Sequence, residues 1–197
     1  MTQKKEYGIL SLPVIVGALG FFVDVFDLLL FNIIRKPSLK SLGLDENSID
    51  ATGEYMLNIQ MIGLVVGGIF WGILGDKKGR VSVLFGSIVM YSLANIANGF
   101  VVNIDQYIIC RFIAGVGLAG ELGAGITLVS EQIDKKYRGV AVALVGGLGM
   151  FGAVTAGTVA SFFSWQTCYI IGAGLGFVLL ILRFSVIESG LFNVMKV

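Results

Sequence analysis

Six apolar segments, each about the length needed to cross a lipid bilayer, dominate this chain of 197 residues. A helix rises about 1.5 Å per residue and the hydrocarbon core is about 30 Å thick, so a span needs about 20 mostly apolar residues. The segments that meet this length are residues 13–34, 56–74, 81–101, 107–129, 140–162 and 168–186. Because backbone groups in lipid must hydrogen-bond within their own segment, the pattern predicts an all-α membrane protein with six transmembrane helices in one bundle.

The composition excludes several classes of function. Hydrophobic residues make up 56% of the chain and charged residues 14%, whereas soluble domains carry about 25% charged residues. The chain has no histidine, and its two cysteines do not form a metal-binding or redox spacing, so we expect no metal and no cofactor. No basic stripe indicates nucleic acid as a partner. The expected surroundings are lipid.

Lysine and arginine are distributed unevenly between the two sides of the predicted bundle. The N-terminus, the second and fourth connections and the end of the chain hold ten of them: Lys4, Lys5, Lys77, Lys78, Arg80, Lys135, Lys136, Arg138, Arg183 and Lys196. The one long connection, residues 35–55, holds three among acidic residues, and the third and fifth connections hold none. By the positive-inside rule, we expect both chain ends on the cytoplasmic side of a bacterial inner membrane.

Two carboxylates interrupt the first apolar segment, in the stretch FFVDVFDLLLF at residues 21–31. A buried charge costs free energy unless it is paired, hydrated or neutralised by a proton. Asp24 and Asp27 are three residues apart, so they share one helix face. Helix rise puts Arg111 at the depth of Asp27, and Glu121 about 15 Å further toward the cytoplasm. The pattern predicts a guanidinium that faces one or both aspartates.

These four ionisable groups favour a functional role over a static ion pair, which is the structural alternative. Ionising all three carboxylates beside a single arginine would cost free energy, so we expect at least one of them to hold a proton. A carboxylate that alternates between binding a proton and pairing with arginine is the working part of a proton-coupled carrier. Three amides are candidates to line the cavity, although each equally suits a contact between helices: Asn58, Gln60 and Asn95.

The glycines predict close helix packing. Gly68 and Gly72 are four residues apart, as are Gly172 and Gly176, and small residues at this spacing let helix backbones approach. The stretch GVGLAG, residues 115–120, matches the dinucleotide fingerprint. That motif requires a strand before it, whereas this stretch lies inside an apolar segment, so we interpret it as packing.

Two further motifs accompany the second and fourth segments. GILGDKKGR is residues 72–80, and RFIAGVG is residues 111–117. Together, G-x-x-x-D-x-x-G-R and R-x-x-x-G-x-G resemble the N-terminal half of a major facilitator superfamily transporter, over essentially the whole chain, residues 1–197. Within that superfamily, GLAGELGAGITLVSE at residues 117–131 is similar to the metabolite:proton symporters, and GFFVDVFD at residues 20–27 to the phosphate:proton symporters.

The resemblance implies proton-coupled symport of a small polar or anionic solute, and it associates Arg111 with proton coupling. It also implies a cytoplasmic gating motif that holds the outward-facing state and that maps onto Gly72, Asp76, Gly79, Arg80, Glu131 and Arg138. Such transporters bind substrate between two six-helix halves, so we expect a C-terminal half that this sequence lacks. We favour a longer chain as its source over a second polypeptide.

Other classes of membrane protein fit the residues less well. An aspartyl intramembrane protease needs its two aspartates on different helices, and serine types commonly need a histidine base, so we expect no enzyme. A channel needs polar rings along an axial pore. A channel, a structural six-helix protein and a facilitator without proton coupling are the alternatives to a proton symporter.

Overall fold

The computed structural model describes residues 12–132 and 137–195, with side chains described for residues 15–79, 82–122, 137 and 139–185. The described part contains six helices and no strand: α1 (Leu12–Ser41), α2 (Glu46–Lys78), α3 (Arg80–Gly99), α4 (Ile104–Gln132), α5 (Arg138–Phe162) and α6 (Trp165–Met195). The predicted all-α fold with six helices is confirmed.

Five of the helices are long and apolar enough to cross a membrane within the described residues: α1, α2, α3, α5 and α6. The remaining helix, α4, carries three charged residues whose side chains are described, Asp105, Arg111 and Glu121, and it packs against α2, α3 and α1. Val65 and Phe151 illustrate the large apolar side chains exposed on the outside of the bundle, as expected where a protein faces lipid or another helix. The chain is an integral, multi-pass membrane protein.

The long connection predicted between the first two spans is wrong. Helix α1 continues to Ser41 and α2 begins at Glu46, so both helices extend beyond their apolar segments. Lys36 pairs with Asp50 at 2.9 Å, and Lys40 pairs with Glu46 at 2.7 Å. Hydropathy indicates which part of a helix lies in lipid. The polar extensions lie beyond that part, and they are helical because their backbone groups hydrogen-bond to one another and their charged side chains pair.

Glycines bring the helix backbones together. On α2, a methyl group added to Gly63 or Gly67 would strike backbone atoms of Phe112 or Val116 on α4. Gly115 meets the main-chain carbonyl of Gln60 in the same interface. Gly63 meets Phe112 and Gly67 meets Val116, four residues further along both helices, so α2 and α4 run parallel. The stretch at residues 115–120 is therefore a packing motif inside a helix, as predicted.

The two predicted glycine pairs differ in how closely they pack against neighbouring helices. Among the described residues, no atom lies near enough to Gly68 or Gly72 to crowd an added methyl group, so that part of the chain shows no packing contact for this pair. Gly172 and Gly176 do pack closely, Gly172 against Phe26 and Gly176 against Ser92. Spacing alone marks small residues on one helix face, and the neighbouring helix decides which face is used.

Two apolar cores flank a polar layer within the bundle. One core lies toward the α1–α2 link and includes Phe31, Tyr107, Trp165 and Tyr169. The other lies further toward the end of α6 and includes Ile88, Tyr91, Leu118 and Leu179. The charged residues predicted as the site lie within and between these cores.

Candidate functional site

Buried polar side chains come from five of the six helices. Among the described side chains, the buried polar and charged ones are Asp24, Asp27, Ser38, Gln60, Ser87, Ser92, Asn95, Asn98, Arg111, Glu121 and Arg183. Burial of so many polar groups costs free energy unless each finds a partner. The charged ones among them fall into two clusters, one centred on Asn95 and one centred on Arg183.

The Asn95 cluster joins α1, α3 and α4. Its members are Asp27, Asn95, Asn98 and Arg111, and each is fully buried. Asn95 Nδ2 donates to Asp27 Oδ1 at 2.9 Å, and Arg111 Nη2 donates to Asn95 Oδ1 at 2.8 Å. Arg111 Nε donates a longer bond, 3.3 Å, to Asn98 Oδ1. A carboxylate and a guanidinium are thus connected through one amide.

Arg111 and Asp27 lie close together, and they are joined through an amide and not by a direct ion pair. Among the described residues, no ion pair joins Arg111 to Asp27 or to Asp24. Asn95 lies between the guanidinium and the Asp27 carboxylate because an amide offers a donor to one and an acceptor to the other.

Aromatic rings surround the Arg111 guanidinium. Its Cζ atom lies 5.3 Å from the ring centroid of Phe31 and 4.7 Å from that of Tyr169. The Tyr107 hydroxyl bonds to that of Tyr169 and donates to Ser38 Oγ at 3.2 Å. Cation–π contacts partly replace the water that a buried guanidinium loses. The sequence analysis missed these tyrosines, although Tyr107 precedes Arg111 by one helical turn and so shares its face.

The Arg183 cluster joins α1, α4 and α6. Arg183 Nη2 lies 2.8 Å from Glu121 Oε1, and the side chains are 7% and 1% exposed. The prediction that Arg183 is one of the cytoplasmic positive charges is wrong, because its side chain is buried in the bundle. Helix depth gives a signal for the pair: α4 and α6 run in the same direction, and both residues lie about 26 Å from their helix starts.

Asp24 belongs to the Arg183 cluster and not beside Arg111. It is 2% exposed, and it lies one helical turn from Gly20, against which the Glu121–Arg183 pair packs. Asp24 Oδ1 makes no hydrogen bond within the described part of the chain. The four residues predicted as one group are therefore divided between two clusters, with about 15 Å of helix rise between Arg111 and Glu121.

The other predicted lining residues lie outside both clusters. Asn58 is exposed on the surface of α2. Gln60 is fully buried, and its amide group has no hydrogen-bond partner among the described residues. Only Asn95, of the three predicted amides, connects charged groups. No set of three or more potential metal ligands occurs in the part of the chain that the structure describes.

The predicted gating motif lies at the turn between α2 and α3. Gly72, Asp76 and Gly79 are exposed there, and Gly79 has a φ of 85°, which favours glycine because other residues rarely adopt it. The side chains of Arg80, Glu131 and Arg138 lie outside the described residues, so the gating role implied for them remains a prediction.

Comparison with known proteins gives consistent matches over this architecture. A family model described as "Major Facilitator Superfamily" matches residues 17–190. A putative metabolite transport protein from Haemophilus influenzae is 34% identical over 202 aligned residues, which cover 98% of this chain and 47% of the relative. A putative niacin/nicotinamide transporter, NiaP, from Bacillus subtilis is 28% identical, with 96% of this chain and 46% of the relative covered.

Solved structures show the same fold. The proton:xylose symporter XylE aligns with a TM-score of 0.77 at 16% identity, covering 88% of this chain and 44% of XylE. The chain therefore spans about half the length of the proteins it matches.

Proposed function

Since this chain belongs to the Major Facilitator Superfamily, we propose that it forms the N-terminal six-helix half of a proton-coupled symporter for a small polar or anionic solute. Its named relatives are transporters, which supports a transport role and gives no support to an enzyme. Because the chain spans about half of those relatives, we propose that a second six-helix half completes the substrate site.

The observation that carries the proposal is the hydrogen-bonded chain from Asp27 through Asn95 to Arg111. An ionised Asp27 compensates the Arg111 charge through the amide, so the fully buried cluster is neutral. Proton binding by Asp27 removes that compensation and leaves a buried cation. An anionic solute near Arg111 then restores neutrality, so proton binding and solute binding favour each other. This reciprocity is the thermodynamic requirement for symport.

The same cluster supports a solute that carries a negative or polar group. A guanidinium suits carboxylate or phosphate groups, and Arg111 Nη1 has no hydrogen-bond partner among the described residues. One relative is named for niacin and nicotinamide, and one solved structure for xylose. Nicotinate, nicotinamide and xylose are therefore suitable probes, since they separate charge from ring shape.

The orientation of the bundle is also part of the proposal. With Arg183 assigned to the bundle interior, nine lysines and arginines still lie on the side of the N-terminus: Lys4, Lys5, Lys77, Lys78, Arg80, Lys135, Lys136, Arg138 and Lys196. We place that side in the cytoplasm, with the protein in a bacterial inner membrane. Single cysteines at the exposed positions Asn103 and Gln166 should react with an impermeant thiol reagent added outside, and one at Lys78 should not.

The gating role of the α2–α3 turn follows from position. Asp76 is exposed near the end of α2, beside the start of α3, whereas Asn95 lies about 22 Å of helix rise further along α3. We propose that Gly72, Asp76, Gly79, Arg80, Glu131 and Arg138 set the balance of conformations and do not contact solute. Asp76→Asn should then alter turnover with little change in intrinsic solute affinity.

The test is solute accumulation in vesicles that contain this chain together with its second half. An imposed proton gradient should drive saturable accumulation, and Asp27→Asn should abolish it while the protein stays folded and inserted. Asp105→Asn is the matched control, since Asp105 is an exposed aspartate at the start of α4. Accumulation by Asp27→Asn at the wild-type level would refute the proposal.

The alternatives give different outcomes in the same vesicles. A channel gives uptake that does not saturate with solute concentration. A facilitator saturates but equilibrates the solute without accumulating it, whatever the proton gradient. A structural protein gives no uptake above that of empty vesicles.

A further inference from the structure

Arg183 lies between two buried carboxylates that come from different helices. Its Nη2 atom is 2.8 Å from Glu121 Oε1 on α4, and the pair packs against α1 at Gly20, one helical turn from Asp24. All three residues are at least nine-tenths buried. Two carboxylates and one guanidinium would carry a net negative charge, which a low-dielectric interior disfavours. One bound proton makes the cluster neutral.

The backbone of α1 contacts the Glu121–Arg183 pair at Gly20. A methyl group added at Gly20 would lie too near Arg183 Nη2 and 2.9 Å from Glu121 Oε1, so the pair rests directly against the helix. Asp24 follows Gly20 by four residues, which places both on one face of α1. The Asp24 side chain therefore extends from the helix surface that the Glu121–Arg183 pair touches.

Two other titratable groups face the cluster. Tyr91, from α3, interacts electrostatically with both Asp24 and Glu121. Asp27 lies one turn from Asp24 on α1 and interacts with it, but its own hydrogen-bond partner is Asn95 in the other cluster. Asp24 Oδ1 makes no hydrogen bond within the described residues, whereas the Arg183 guanidinium contacts Glu121. The arginine thus has one carboxylate partner and a second buried carboxylate on the face of α1 that it contacts.

We propose that Asp24, Glu121 and Arg183 form a one-proton site, in which Arg183 pairs with whichever carboxylate is ionised and the proton occupies the other. The structure shows the form with Arg183 on Glu121. In the exchanged form, the proton has moved from the Asp24 carboxyl group to the Glu121 carboxylate, and the guanidinium has moved from Glu121 to Asp24. The net charge is the same in both forms. This inference rests on the proposed function and adds a proton site separate from Asp27.

The two forms place the proton at different depths. Glu121 lies nearer the predicted cytoplasmic side than the Asn95 cluster, and Asp24 lies one helical turn from Asp27. Exchange of the arginine would therefore carry a proton from the neighbourhood of Asp27 to Glu121 without creating an unpaired buried charge. A static pair between Arg183 and Glu121, with Asp24 independently protonated, cannot do this.

The test counts protonated carboxyl groups in the full chain, purified into lipid nanodiscs, by infrared difference spectroscopy at neutral pH. All variants carry Asp27→Asn so that the Asn95 cluster contributes no carboxyl band. This parent should show one buried protonated carboxyl group that Asp24→Asn removes. It should gain a second in Arg183→Gln, because two carboxylates then lack a cation.

Glu121→Gln is the decisive variant. If Arg183 exchanges between carboxylates, it pairs with Asp24 in this variant, and the protonated carboxyl band disappears. If the pair is static, Asp24 keeps its proton and the band stays at the parent level, which would overturn the proposal. Glu121→Met makes the same comparison with an apolar side chain of similar length, in case the buried amide prevents folding.

Arg183→Lys and Gly20→Ala serve as controls. The lysine keeps the charge, so the band should stay at the parent level. The added methyl group at Gly20 should move the guanidinium and shift the band frequency without removing it. Because the spectra record equilibrium proton binding and need no solute or second half, they give a result even if the vesicle experiment shows no symport.

Discussion

The Asn95 cluster and the Arg183 cluster neutralise buried charge in two different ways. In the first, a neutral amide lies between Asp27 and Arg111, and every link is a hydrogen bond of fixed direction. In the second, Arg183 touches Glu121 directly, and another carboxylate lies beside the pair. The two clusters lie in the same bundle, and they differ in which side chain lies next to the guanidinium, an amide in the first and a carboxylate in the second.

This difference determines which kind of change disrupts each cluster. A bridged pair depends on the shape and orientation of its amide, since Asn95 must donate on one side and accept on the other. A direct pair with a spare carboxylate depends on the total charge, since one proton decides whether the group is neutral. We therefore expect the Asn95 cluster to fail when its geometry changes and the Arg183 cluster to fail when its charge changes.

The largest effect is expected from Arg183→Met. The variant buries Glu121 and Asp24 without a cation, and breaking a buried pair costs about 3–5 kcal/mol of the free energy of unfolding. The folded variant holds both carboxyl protons, whereas the unfolded chain releases them into water near neutral pH. Folding then takes up protons, so the stability of the variant falls as pH rises. Denaturant titrations in detergent between about pH 5 and pH 8 measure this slope.

Arg183→Lys is the control for that prediction, because it keeps the cation at the cost of the planar donor geometry. A loss of stability in Arg183→Met that does not change with pH would show that packing, and not charge, is what Arg183 contributes.

A smaller effect is expected from Asn95→Leu. The substitution removes the donor to Asp27 and the acceptor for Arg111, and should cost about 2–3 kcal/mol in total, because Asp27 and Arg111 keep their opposite charges and still attract each other. Asn98→Leu, on the same helix, removes only the longer bond at 3.3 Å and should cost about 1 kcal/mol. Equal losses for the two variants in denaturant titrations would contradict the bridging role of Asn95.

A third comparison concerns the ring that covers Arg111. Tyr169→Phe removes the hydroxyl bond to Tyr107 and keeps the ring over the guanidinium, so it should cost about 1 kcal/mol. Tyr169→Leu also removes the cation–π contact and should cost about 1–2 kcal/mol more. If the two variants are equally stable against denaturant, the ring face contributes nothing to holding Arg111.

The smallest effect is expected at the exposed end of the bundle. Lys36 and Asp50 form an ion pair of 2.9 Å, similar in length to that of Arg183, but both side chains are about 60% exposed. Asp50→Asn should change the free energy of unfolding by less than any variant above, and added salt should remove the difference, because water and ions screen exposed charges. A loss comparable to that of Arg183→Met would show that burial does not set the strength of these pairs.

Several features follow from the sequence alone because they depend on distances along the chain. The six helices are fixed by the length of the apolar segments, since a backbone in lipid has no other way to pair its own polar groups. The level of Asp27 relative to Arg111 is fixed by helix rise, and the two side chains do meet at one bridge. Buried charge in apolar segments also marked all four predicted ionisable residues as interior.

Tertiary structure alone decided which of those residues act together. Helix rise gives the depth of a residue but not the neighbour that its face meets, so Asp24 and Asp27 appeared equivalent although they contact different clusters. Arg183 appeared to be a terminal charge because it lies near the end of the sixth apolar segment, and only the packing of α6 against α1 and α3 brought its side chain to Glu121. Likewise, Asn95 and Asn58 are the same residue type on apolar helices, and the rotation of each helix left one in the core and the other exposed. Contacts between helices are cooperative properties of packing, which no local pattern of residues contains.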